Sequence, residues 1–171
     1  MTDVQPLPPD RISNYIEALT AFAGAIGGVL TGAVETGAIH LSDAEIANAV
    51  GIEGLRITGS FAIADGRLTG DELAALAIAA GLAGRDPDQY VARLRPHGLE
   101  DDWKSETSLL LELLTRIDRD SEQHRVCANV YSLASFRLAF EVTAIDGSIS
   151  DDELIGLHRF LRVLDHAVYS S

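Results

Sequence analysis

Residues 64–73 read ADGRLTGDEL and residues 145–154 read IDGSISDDEL, so one phrase is written twice, 81 residues apart. Its skeleton is Asp-Gly, any residue, an aliphatic, a hydroxyl residue, two more, then Glu-Leu. Gly66 and Gly147 stand where an incoming helix needs a left-handed residue to stop, a conformation glycine adopts without a Cβ clash. Leu68 and Ile149 then offer the connection an apolar anchor. Thr69 with Glu72, and Ser150 with Glu153, have capping-box spacing, in which hydroxyl and carboxylate each satisfy an orphan backbone amide at the start of a new helix. Each cap contributes about 1 kcal/mol. Asp71, Asp151 and Asp152 fall in first turns, where the helix dipole favours negative charge. The phrase therefore predicts helix, tight turn, helix, twice.

Outward from these turns, the apolar residues recur at helical spacing. A first helix is expected from Arg11 to about residue 31, after Pro8 and Pro9. A second starts with the capping box Ser42 and Glu45 and carries Ile46, Val50, Ile57 and Phe61 toward Gly66. Gly51, Gly54 and Gly59 predict a break or kink in it. Shorter helices are expected from Gly70 to Leu82, stopping at Gly84, and from Asp86-Pro87 to just before Pro96. An acidic connector, GLEDDWK, precedes a helix opened by Ser105 and Ser108. A long helix over residues 121–145 and a last one from Asp151 to about residue 167 complete the chain. No stretch alternates apolar and polar residues long enough to compete as a strand, so the fold class is all-α. Length places the 171 residues in one compact unit, an N-terminal glycine-rich helix and connector (1–41) followed by a helical domain (42–171).

Asp65 and Asp146 do not fit a purely structural phrase. Each lies in the last turn of its incoming helix, where the partial negative end of the dipole disfavours a carboxylate. Two readings stay open: the carboxylate accepts loop amides in an Asx turn, or Asp65 with Glu72, and Asp146 with Glu153, form a hard oxygen site for calcium or magnesium. An EF-hand loop is excluded. Alignment on the Asp-Gly pair places Phe61 and Ile63, and in the second copy Val142 and Ala144, at ligand positions that require oxygen.

Two such helix–turn–helix phrases separated by a helical middle resemble the TerB-like domain family, named for the bacterial tellurite-resistance protein. The resemblance covers about residues 42–168. It implies a helical bundle with two pseudo-symmetric halves, a bacterial setting, no enzyme activity, and a stress-linked scaffold role with an acidic metal site. The acids that match are Asp65, Glu72, Asp146 and Glu153.

Charge narrows the partners. Thirteen Lys and Arg against 26 Asp and Glu leave a net charge of −13, which argues against nucleic acid, whose binding relies on cations neutralising phosphates. The expected partner is a protein with a basic surface or a membrane-associated stress complex. The N-terminus lacks a basic start and apolar run, and the lone Cys127 has no partner for a disulfide, which reads as a cytoplasmic protein. Between Glu17 and Glu35 no residue is charged, and Gly24, Gly28 and Gly32 form a small-residue stripe. This helix is read as a buried central helix or as a homodimer contact through that stripe, ahead of a membrane span. No nucleophile elbow, phosphate loop or zinc helix is present. Cys127 reads as a structural thiol, the pair Asp120 and His124 as an ordinary i, i+4 ion pair, and His158 and His166, with Arg159 and Arg162 between them, as poor metal ligands. Three function classes follow: a non-enzymatic interaction module, a calcium- or magnesium-responsive module, and an enzyme using paired carboxylates.

Overall fold

Asp10 opens the first helix, α1 (Arg11–Glu35): its carboxylate accepts the Ser13 amide at 3.3 Å and the Ser13 hydroxyl at 2.7 Å. The computed structural model describes residues 10–64, 66–94, 108–121 and 125–169. Among them every regular element is a helix: α2 (Asp43–Ala62), α3 (Gly70–Leu82), α4 (Pro87–Leu94), α5 (Leu109–Asp120), α6 (Val126–Thr143) and α7 (Asp151–Tyr169). Pro8, Pro9, Asp65, the connector GLEDDWK with Trp103, Ser105 and His124 lie outside the described residues.

On α1, Tyr15, Ala18, Leu19, Phe22, Ile26, Leu30 and Ala33 recur every three or four residues and form one buried stripe. The helix packs most extensively on α6. The two run antiparallel, because Arg11 Nη1 donates to the Ala144 carbonyl at 3.2 Å while Glu17 lies 3.4 Å from Arg137 farther along. Phe22 meets Tyr131 edge to face at 6.4 Å between centroids. Residues 11–35 thus share one hydrophobic core with the helices of 42–171.

The helix α2 corrects one expectation. It runs unbroken from Asp43 to Ala62, and its glycines mark close approaches of neighbours where a break was expected. A Cβ on Gly51 would sit 2.9 Å from the Ala83 backbone, and one on Gly59 would sit 2.7 Å from the Tyr90 hydroxyl. The propensity cost of glycine is offset by the apolar contact it permits. At its far end Phe61 packs on Phe160 of α7, 5.3 Å between centroids.

The start of α6 is the second correction. The helix begins at Val126, five residues later than expected, after Arg125 in the left-handed region (φ 67°). Asp118, buried near the end of α5, reaches across and accepts the amides of Cys127 at 2.9 Å and Ala128 at 2.8 Å. A carboxylate from the preceding helix therefore performs the N-cap function for α6.

Candidate functional site

The two repeated turns close on the expected glycines and capping pairs, but α6 ends at Thr143, so Asp146 lies in the turn beyond the helix and not in its last turn. Gly66 and Gly147 take φ of 77° and 99°. Thr69 N–H donates to Glu72 Oε2 at 2.6 Å and Glu72 N–H to Thr69 Oγ1 at 3.3 Å; Ser150 and Glu153 repeat the exchange at 2.7 and 3.3 Å. Glu72 and Glu153 are buried, at 3% and 5% exposure, with one oxygen of each carboxylate engaged by a backbone amide. Asp146 is exposed, and its Oδ1 accepts the Ser148 amide at 2.9 Å and the Ser148 hydroxyl at 3.2 Å, an Asx turn. Asp65 lies outside the described residues. Among the described residues no three His, Cys, Asp or Glu side chains converge as a metal site would require.

A second polar constellation lies between α2, α5 and α6. Glu53 is 5% exposed, accepts two hydrogen bonds from Arg56 at 2.8 and 3.0 Å, and accepts a third from the Tyr131 hydroxyl. Burial alone would raise the Glu53 carboxyl, but the hydrogen bonds and charge of Arg56, aided by Tyr131 and Ser108, hold it below its ordinary value. Burial, then the charge of Glu53, pushes the Tyr131 hydroxyl up. Arg56, Ser108 and Tyr131 border a cavity of about 30 Å³ also lined by Phe61, Leu111, Phe160 and Leu164, large enough for a water molecule. Because Glu53 already carries three donors, the arrangement is a charge-balanced bridge between α2 and α6, and a free general base is not part of it.

Cys127 is half-buried, and burial together with the neighbouring Asp118 carboxylate pushes its thiol up to about 12. A thiol so protonated is a poor nucleophile near neutrality. His158 and His166 lie on exposed positions of α7.

A further open feature is apolar. Ala23, Gly27 and Thr31 of α1, with Asp43, Ile46, Ala47, Val50 and Gly51 of α2 and Leu82 of α3, line a groove of about 360 Å³. Eight residues of α1 separate its ends, about 12 Å at the helical rise. The Gly24, Gly28 and Gly32 stripe expected at a dimer contact lies one residue over from this row, and a Cβ at any of the three would meet nothing within 4 Å. The stripe is open surface, whereas the Tyr15 to Ala33 stripe of α1 is core. By length and composition α1 is the one described helix able to cross a membrane, yet its large side chains Tyr15, Phe22, Ile26 and Leu30 are fully buried in the bundle.

Two groups escaped the sequence reading. Glu53 and Arg56 at i, i+3 are the two charges in the second half of α2, a signal that such a pair is buried against something polar. Gly27 was visible only as one more glycine, since its role depends on α2 standing apart from α1 at that level. No family model matches this chain, and comparisons with curated proteins and with solved structures found no match.

Proposed function

We propose that this chain is a non-enzymatic interaction module of the TerB-like kind, an acidic helical scaffold that holds a protein partner. The observation that carries the reading is the apolar groove of about 360 Å³ between α1, α2 and α3, within the size range of binding clefts. Its supports are the two helix–turn–helix hairpins built on one repeated phrase, and the engagement of the buried carboxylates in caps and ion pairs. The hairpins are taken as two related halves of a bundle, in a bacterial, cytoplasmic, stress-linked setting. The duplicated acids serve the turns in this reading. Their service to a cation is the alternative, favoured by the exposed Asp146 with Oδ2 outside the Asx turn.

The test is a pull-down from a bacterial lysate with wild type and a Gly27→Leu variant, alongside hydrolase assays on ester, phosphoester and glycoside substrates. A discrete partner held by wild type and lost by the variant is expected. Turnover abolished by one carboxylate substitution, such as Glu53→Gln in a variant that remains folded, would replace this reading with an enzymatic one.

A further inference from the structure

The groove has a charge pattern that selects its occupant. From residue 12 to residue 55, which covers all of α1 beyond its first residue and most of α2, the chain contains no Lys or Arg. Of the acids in that span, Glu17 faces Arg137 of α6 and Glu53 is held by Arg56 and Tyr131, which leaves Glu35, Asp43 and Glu45 outside those pairs. Asp43 lines the groove itself, at the start of α2. On α3, Leu82 is followed after three residues by Arg85, and Asp86 and Asp88 come directly after. The groove floor is uncharged and small, with Gly27 at its middle, where a Cβ would meet nothing within 4 Å. An apolar slot about two helical turns long, with Asp43 in its lining and no Lys or Arg between residues 12 and 55 of the helices that form its sides, is complementary to a helix with an apolar ridge at i and i+4 and with Lys or Arg beside it.

We infer that the α1–α2 groove binds a cationic amphipathic helix of a partner protein, its aliphatic ridge seated over Gly27 and its basic flank facing Asp43. The inference rests on the interaction-module reading and narrows it. A second copy of this chain would bring a net charge of −13 against an equal one, and an anionic lipid surface would be repelled in the same way. The net negative charge also governs encounter, so association with a cationic helix accelerates as ionic strength falls.

The probe is a short helical peptide with leucines at i, i+4 and i+7 flanked by lysines. It is compared with a scramble of identical composition and with a version carrying Glu for Lys. Titration by calorimetry uses the full chain, its Gly27→Leu variant and its Ala47→Lys variant. Gly27→Leu fills the groove and raises helix propensity, so its thermal midpoint should be unchanged or higher, which separates blocking from unfolding. Binding of the ridge peptide should weaken by about tenfold or more in either variant, and the scramble and acidic peptides should bind wild type by about the same factor more weakly. Equal binding of the scramble would reduce the effect to bulk charge and overturn the inference. Ridge-peptide binding untouched by both variants would move the site elsewhere while leaving the interaction-module reading intact. The inference also falls if no cationic peptide binds, or if Gly27→Leu instead abolishes self-association in sedimentation or adsorption to phosphatidylcholine or phosphatidylglycerol vesicles. Loss of the interaction-module reading itself would show separately, as turnover in the substrate assays.

Discussion

The hairpins α2–α3 and α6–α7 are turned by the same ten-residue phrase, yet they are anchored differently. Their turns agree in every local feature described: a glycine with positive φ, a hydroxyl and a glutamate exchanging backbone hydrogen bonds, and that glutamate buried. They differ in what surrounds them. Gly66 stands in open space, whereas a Cβ on Gly147 would collide with the Arg11 guanidinium, which lies under the second turn and donates to the Ala144 carbonyl. Leu68 packs against the core, while Ile149 is 41% exposed. The entering helices differ too, since α2 is capped by its own Ser42 and Glu45, and α6 by Asp118 from another helix. A short phrase can therefore specify a turn completely and still leave open how strongly the turn is held.

The largest effect is expected where the two hairpins are joined. Glu53→Gln removes the partner of Arg56 and weakens the acceptor of Tyr131, lowering stability by about 3 kcal/mol at neutral pH, the low end for a broken buried pair because Arg56 retains some access to water. Hairpins that depend on this bridge should unfold together, in one urea transition by circular dichroism and by hydrogen exchange. Separate transitions in wild type would break the comparison at its root. Because the folded carboxyl lies below its ordinary value of 4.5, its contribution is fully present above that value and disappears as pH falls through the lowered one. The gap between wild type and variant should stay constant from neutrality to about pH 5 and close below it; a gap that widens in acid would contradict the assigned ion pair.

Next in size is the contrast between the two turn glycines. Gly66→Ala should cost about 1 kcal/mol, the left-handed penalty alone, and Gly147→Ala about 2–3 kcal/mol because Arg11 must also leave the end of α6. In an Arg11→Ala background the second cost should drop toward the first, and chemical denaturation of the four-member cycle measures that coupling. Additive values would show that Arg11 and Gly147 act independently.

The helix starts sharpen the comparison further. Asp118→Ala leaves two amides of α6 without their acceptor and should cost about 2 kcal/mol, against about 1 kcal/mol for Ser42→Ala at the start of α2. Equal losses in thermal unfolding would mean that a cap supplied from another helix is worth no more than a local one.

The smallest effect is expected from divalent cations. Calcium or magnesium at millimolar concentration should leave the midpoint of chelator-treated protein unchanged, since Glu72 and Glu153 each already hold a capping amide. A rise abolished by Asp146→Asn and retained by Ser148→Ala would instead make the second turn a site.

Much of this was legible in the residues. Ser42 with Glu45, Thr69 with Glu72, and Ser150 with Glu153 announce helix starts because both partners of each hydrogen-bond exchange lie three residues apart, within reach of one another in any context. The starts of α4 at Pro87 and α5 after Ser108 follow from the same local chemistry. The expected break in α2 failed because glycine propensity is a weak local preference, overruled when Ala83, Leu19 and Tyr90 pack against the bare backbone. The late start of α6 was hidden because its cap, Asp118, looks like any other acid in an amphipathic helix until the chain has turned back on it.

By itself the sequence determined the all-α class, the two repeated turns and most helix boundaries, because those depend on hydrogen bonds and dihedral limits within about four residues. Only the tertiary structure decided that Glu53 bridges to Tyr131, that Arg11 braces one turn and not the other, and that α1 and α2 part over Gly27 to leave an apolar groove. These depend on which surfaces meet across tens of residues, where close packing, burial and charge pairing choose among contacts that local spacing leaves equivalent.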